Sequence, residues 1–188
     1  MKKFELEIEQ DENPMNPRIE WDNVTTMICF HKRYNVGDKH NYKSSDFDSW
    51  DEFKEQIQQD YNVFMIKPLY LFDHSGITIS TSSFNDRWDS GQVGFIIIEE
   101  KNWENMMGKD MDRSDERLER IIDGEVETYD SYLRGDVYKY KIYEVETCSL
   151  GHEHRNLVES MGGWFDEEDC KSEGQREMEY LQSKVELV

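Results

Sequence analysis

The chain has 188 residues, 42 of them Asp or Glu against 22 Lys or Arg, which leaves a formal charge of −20. That balance argues against direct binding to phosphate backbones or anionic lipid surfaces, both of which need clustered Lys and Arg, and it leaves room for a basic partner. With 36% hydrophobic and 13% aromatic residues the chain also differs from disordered acidic tails, which lack aromatics. Its length points to one domain over 1–188, with an optional C-terminal subdomain over 147–188.

Phe4, Leu6 and Ile8 alternate with Glu5, Glu7 and Glu9, the period of a half-buried strand with an acidic outer face. A loop follows over 10–18, marked by Asn13-Pro14 and Asn16-Pro17. Residues 24–31 are β-branched and apolar enough for a buried strand, with Cys29 pointing either way. Gly37 centres a turn over 35–39. Ser49 and Glu52 have capping-box spacing, and Trp50, Phe53, Ile57 and Tyr61 recur at helical intervals, so 50–60 is expected to be an amphipathic helix. After Pro68, residues 69–72, 73–76 and 77–80 read as strand, turn and strand. Residues 92–98 form another strand, and 99–107 a short helix ended by Gly108.

Leu118, Ile121, Ile122, Val126 and Tyr129 set an apolar stripe along a helix over 115–133, with Gly124 as a weak point. Residues 137–146 alternate as a strand, a further strand is expected near Leu157 and Val158, and 166–184 forms a helix whose first turn carries four acids. Strands and helices therefore mix without regular alternation. The expected class is α+β, a mainly antiparallel sheet with three to four amphipathic helices and acidic outer faces.

The alternating start is unlike the continuous apolar stretch of a signal peptide. The longest apolar run, 93–98, is far short of the about 20 residues that span a bilayer. Three cysteines, Cys29, Cys148 and Cys170, form a sparse and odd set, unlike a secreted disulfide framework. A reducing cytoplasm is the expected location.

The charge is uneven. Residues 61–98 hold 3 acids and 2 bases, whereas 99–136 hold 13 and 6, and 144–188 hold 12 and 4. Two explanations compete. Rows of carboxylates can occupy the basic groove of a nuclease or DNA-binding protein, because duplex DNA itself carries one charge per about 1.7 Å of axis. Alternatively the excess acid only keeps the chain soluble and monomeric.

Three polar clusters stand out: 20–23 with 29–40, Asp73-His74-Ser75-Gly76, and 88–95. Asp73, His74 and Ser75 are the residue types of nucleophilic catalysis, but neighbours on an extended chain face opposite ways and cannot relay among themselves. His74 could instead act as a base oriented by Asp22, Asp38 or Asp89; the plain alternative is a turn with bonded backbone. His31, Asp38, His40 and His74 are metal-ligand types at no standard spacing. Cys148, His152, His154 and Cys170 have the number for a structural zinc but irregular spacing, so two isolated cysteines beside a His-bearing loop is the bland account. Gly91, Gly94, Gly162 and Gly163 can admit a close ligand, yet no phosphate loop with its Lys is present. Without a basic groove, Trp21, Trp50, Trp88, Trp103 and Trp164 read as core anchors.

At these clusters the chain resembles a family of small, uncharacterised proteins of bacteriophages and other mobile elements. The matching blocks are Pro17-Arg18 with Glu20-Trp21-Asp22-Asn23, residues 27–38, residues 69–77 and Trp88-Asp89-Ser90-Gly91-Gln92-Val93-Gly94-Phe95, with a weaker match at Gly162-Gly163-Trp164-Phe165. Asn85-Asp86-Arg87 stands where a Cys-Pro pair is usual in that family, so a thiol at this place is not essential. The resemblance implies a phage context and carries no reaction. An acidic accessory protein in that context is expected to block a host defence system, an inference by analogy.

The leading expectation is thus a non-enzymatic acidic inhibitor of a host nuclease or DNA-binding complex, of anti-CRISPR or anti-restriction type. It would act in the host cytoplasm without cofactor, metal, nucleic acid or membrane, on a basic protein or nucleoprotein partner. The expected partner-binding residues are Asp110, Asp112, Asp115, Glu116, Glu119 and Asp123 with Asp166, Glu167, Glu168 and Asp169. The rival is a small enzyme or nucleotide-binding protein with a site built from Asp22, His31, Asp38, His74, Asp89 and Gln92, and a virion or replication accessory role is a third possibility.

Overall fold

The computed structural model describes residues 3–86 and 88–186; Arg87, named above beside Trp88, lies outside the described residues, as do Met1, Lys2, Leu187 and Val188. Among the described residues seven strands and four α-helices are arranged in two antiparallel sheets, an α+β fold. Contacts divide the chain into two units, 16–134 and 1–15 with 135–188. The sequence drew no boundary at 15 or 134. The N-terminal strand joins the C-terminal segment because its hydrogen-bonding partner lies there.

In the unit 16–134 the strand order is β2 (Thr25–Cys29), β5 (Ser90–Glu99), β3 (Val63–Asp73) and β4 (Ile77–Ser80). On β5, Phe95 and Ile97 meet Ile28 and the buried Phe53 and Ile57 of α1 (Trp50–Asp60). The alternate residues Ile96 and Ile98 join the core that holds Trp103 of α2 (Glu100–Met106) and Leu118, Ile122, Val126 and Tyr129 of α3 (Asp115–Arg134). Cover on both faces is why β5 reads as an unbroken apolar run instead of alternating. Cys29 belongs to the second of these cores, which settles its direction.

Ser49 caps α1 by accepting from Glu52 N–H at 3.2 Å, while Glu52 Oε2 takes the N–H of Asp48 at 2.6 Å, one residue upstream of a standard capping box. The strand β3 begins six residues before the expected Leu69 and runs through Pro68. Proline is tolerated because β4 pairs only from Tyr70 onward, so residue 68 has a strand neighbour on one side alone.

Gly94 pairs with Cys29, and a Cβ there would lie 2.0 Å from the carbonyl oxygen of Ile28. The space kept open by Gly94 is filled by β2, and that at Gly162 by the Asp11 carboxylate, 2.3 Å from where a Cβ would stand. Neither serves a ligand's approach.

The second unit is a sheet β1–β6–β7, made of β1 (Lys3–Gln10), β6 (Tyr138–Thr147) and β7 (Glu153–Trp164). The helix α4 (Glu167–Glu186) packs Cys170, Met178 and Leu181 against Phe4, Leu6, Ile8, Tyr140 and Ile142. On the other face the acids expected from the alternation are neutralised: Glu9 pairs with Lys139 at 3.0 Å and with Lys141, and Arg155 crosses the ring of Tyr143 to reach Glu7 at 2.9 Å. Among the described residues no helix is long and apolar enough to cross a membrane.

Candidate functional site

Two turns meet at one end of the four-stranded sheet. The β3–β4 turn is tight enough to place Ser75 at φ 60°, with His74 N–H donating to the carbonyl of Gly76 at 3.1 Å. The turn before β5 is pinned by Asp86, whose Oδ1 accepts from the N–H groups of Trp88 and Asp89, each at 2.8 Å. These backbone donors hold the Asp86 carboxyl below its usual range. Asp73 N–H donates to the carbonyl of Asp89 at 2.8 Å and ties one turn to the other.

The side chains then converge. His74 Nδ1 lies 2.9 Å from Asp89 Oδ2, over the ring of Phe72, and Arg33 pairs with Asp73. His31 stacks on Tyr34, and its Nδ1 accepts from the N–H groups of Arg33 and Tyr34 at 3.3 and 3.1 Å. A neutral His31 therefore carries its proton on Nε2. A cleft of about 280 Å³ is lined by His31, Arg33, Asp73, Trp88, Asp89 and Ser90, among others. Chemically, His74 with Asp89 on its Nδ1 is a base with an orienting carboxylate. Both side chains are largely open to water, at 66% and 41% exposure, so their mutual attraction is screened.

Of the six residues expected for a site, the structure brings together His74, Asp89 and His31. It adds Arg33 and Asp73, a pair 40 residues apart in sequence. Asp38 is not available to His74: its carboxylate is gripped by Arg18 and accepts the N–H of Met27 at 2.7 Å. Asp22 is exposed and lines neither cleft, and Gln92 donates to the carbonyl of Gly94 at 3.3 Å.

Neither candidate metal set is assembled; among the described residues no three His, Cys, Asp or Glu are grouped to hold an ion. Cys170 is fully buried against β6, and burial pushes its thiol up to about 11. Cys148 sits instead in the β6–β7 turn, its N–H donating to the carbonyl of His152 at 2.9 Å. His40 donates through Nε2 to the carbonyl of Cys29 at 2.8 Å. The Cys29 thiol is itself driven by burial up to about 12, which removes it as a nucleophile at neutral pH.

A larger cleft, about 1140 Å³, opens beside the first and shares His31 with it. Its walls come from the loop after β2 and from the start of α1, including Phe30, Lys32, Lys39, Phe47 and Trp50.

No protein-family model, no curated protein and no solved structure matches the chain.

The expected partner-binding acids fall on both units. On α3, Asp115, Glu119, Asp123 and Glu127 are exposed at steps of four residues, with exposed Glu116 beside them. A step of four is about 6 Å along a helix axis, so these carboxylates form a ridge. Glu119 is 3.3 Å from Lys67; among the described residues the other four have no ion-pair partner within 4 Å. Asp110 and Asp112 precede the helix, and Asp112 accepts from the N–H and hydroxyl of Ser114 at 3.1 and 2.8 Å. Asp166 accepts from Asp169 N–H at 2.9 Å at the head of α4, where Glu167, Glu168 and Asp169 also favour the positive end of the helix dipole. These last four lie in the other unit, and their placement is already explained by helix capping.

Proposed function

We propose that the chain is a phage-type acidic inhibitor that presents the α3 ridge to a basic surface of a nucleic-acid-processing protein of the host cytoplasm, in the place of a nucleic-acid strand. The observation that carries this reading is the row of exposed carboxylates at Asp115, Glu119, Asp123 and Glu127, held on a helix whose opposite side is anchored by Leu118, Ile122, Val126 and Tyr129. A preformed helix keeps the charges in line, so binding orders their side chains but not the backbone. The acids of β1 contribute little, being paired with Lys139, Lys141 and Arg155. The resemblance of residues 17–18, 20–23, 27–38, 69–77 and 88–95 to phage and mobile-element proteins supports the same setting.

The test is competition with duplex DNA for a panel of restriction and CRISPR nucleases, at low and at physiological salt. The expected result is that one of them is inhibited, that inhibition weakens steeply with salt, and that Asp115→Lys/Glu119→Lys/Asp123→Lys weakens it by roughly tenfold or more. Salt-insensitive inhibition, or a ridge variant as potent as the parent chain, refutes it.

A second reading, acid–base chemistry on a small ligand, is favoured by the 2.9 Å pairing of His74 with Asp89. If His74→Ala and Asp89→Ala abolish function while the fold survives and ridge reversal does nothing, this reading replaces the first.

A further inference from the structure

We infer that the larger cleft, between the 30–40 loop and the first turn of α1, is a binding site for a planar aromatic ligand bearing an anionic group, of the nucleotide class. This goes beyond the docking role of α3 and is independent of it.

The cleft, at about 1140 Å³, is somewhat above the range of roughly 300–1,000 Å³ usual for small-molecule sites, so a nucleotide fits with room to spare. Its aromatic side is built from Phe30, Phe47 and Trp50, which back onto the buried Phe53 with ring centroids 4.8, 4.7 and 6.3 Å from it. Phe30, Phe47 and Trp50 are each only half-buried, so ring surface is left to stack on a base.

The cleft lining also carries cations. Lys32 and Lys39 are exposed and line the cleft, and among the described residues neither has an ion-pair partner, although acids outnumber bases by 42 to 22 along the chain. Of the acids on the wall, Asp38 is neutralised by Arg18, leaving Asp48. His31 adds a donor: with Nδ1 occupied by two backbone N–H groups, its Nε2–H is free to reach an anion, and His31 also borders the smaller cleft lined by Arg33 and Asp73. An anion is placed at the lysines and not at the start of α1, because Asp51 and Glu52 fill that first turn.

His40 also lines the cleft and gives its Nε2–H to Cys29; its Nδ1 is an unpartnered acceptor closed to solvent, so a ligand N–H meets it only if the ring turns. The expectation that the tryptophans are core anchors fails for Trp88 and Trp21, which are 94% and 41% exposed, whereas Trp50 packs half-buried against the core and also lines the cleft. Lys32, Lys39 and Trp50 are far enough apart in sequence that only the folded loop shows them on one cleft.

The experiment is titration of the full chain with AMP, CMP, adenosine and inorganic phosphate, read by calorimetry and by ¹⁵N amide shifts. A nucleoside monophosphate is expected to bind, with shifts centred on His31, Gly37, His40 and Trp50, while adenosine binds more weakly and phosphate alone does not register. Lys32→Glu/Lys39→Glu, two exposed positions whose change leaves the fold intact, is expected to lower nucleotide affinity by roughly tenfold or more and to leave adenosine unaffected. Trp50→Leu, checked for an unchanged melting profile, is expected to weaken nucleotide and adenosine alike. The proposal is overturned by any of these results: no binding of either nucleotide at millimolar concentration, shifts centred away from the cleft, or a lysine variant that binds nucleotide as well as the parent chain.

Discussion

Arg18 holds Asp38 by two parallel bonds, Nε to Oδ1 at 3.0 Å and Nη2 to Oδ2 at 2.5 Å. The same guanidinium reaches Glu125 of α3 at 2.7 Å and the carbonyl of Thr25 at 2.8 Å, with its side chain only 1% exposed. Glu125 in turn accepts the N–H of Val24 at 2.8 Å. One buried cation thereby joins the 16–19 loop, β2, the turn at Gly37 and α3. Burial alone would lower the affinity of Arg18 for its proton, and the bonds to Asp38 and Glu125 more than reverse that.

Removing Arg18 leaves two partly buried carboxylates facing each other. Arg18→Ala is expected to destabilise the fold by about 3–5 kcal/mol, measured by urea unfolding. Adding Asp38→Asn and Glu125→Gln to Arg18→Met is expected to recover part of the loss, because no uncompensated charge is then buried. A single variant as stable as the parent would show that the network contributes nothing.

At Gly94 there is no room for a side chain between β5 and β2, and the atoms a Cβ would meet are backbone: Ile28 O at 2.0 Å and Cys29 Cα at 2.8 Å. Because neither can turn aside, Gly94→Ala is expected to cost about 3 kcal/mol or more, at the upper end of overpacking effects. Gly91→Ala is the control, since nothing stands within 4 Å of its Cβ position. Comparable melting temperatures for the two variants would contradict this account.

Alkaline pH is expected to weaken both units. Burial raises Cys29 from 9.0 to about 12 and Tyr129 from 10.0 to about 12 in one, and Cys170 from 9.0 to about 11 in the other. Above pH 9 the unfolded chain releases these protons while the folded chain retains them. The unfolded state then binds fewer protons, so stability falls as pH rises from about 9 toward 11–12. Urea midpoints followed from neutral to alkaline pH should show this decline, and Cys29→Ala should flatten part of it. An unchanged slope in that variant would remove Cys29 as its source.

The α3 ridge makes a contrasting prediction. Asp115, Asp123 and Glu127 are exposed and contribute no packing, so Asp123→Lys or Glu127→Lys is expected to alter stability by no more than about 0.5 kcal/mol. Glu125→Lys, two residues away but turned into the Arg18 network, is expected to be strongly destabilising. Equal stabilities for the exposed and inward variants would mean that the division of the helix face is wrong.

Legibility followed from how local each determinant is. The helix over 50–60 was readable to its ends because Ser49, Glu52 and the spacing of Phe53 and Ile57 are all contained within one segment. The alternation of Phe4–Glu9 likewise gave β1, and the apolar run before Glu99 gave β5. The length of β3 was missed because Pro68 is a stop signal unless the neighbouring strand begins later, a fact about β4 and not about β3. At the turns, residue types marked Asp73-His74-Ser75-Gly76 and Trp88-Asp89 as unusual, and the two do meet, but their partners Arg33 and His31 arrive from a loop 40 residues upstream.

Net charge, the α+β class and most element positions are legible along the chain, since periodicity and capping act over a few residues and need no distant partner. What the charges face is a property of the folded chain alone. Glu5, Glu7 and Glu9 are neutralised across strands, Asp38 and Glu125 are consumed by Arg18, and Asp115, Glu119, Asp123 and Glu127 stay on the surface. Carboxylates are identical in sequence whether paired, buried or free. Their electrostatic meaning depends on distance and dielectric, which are properties of the folded chain.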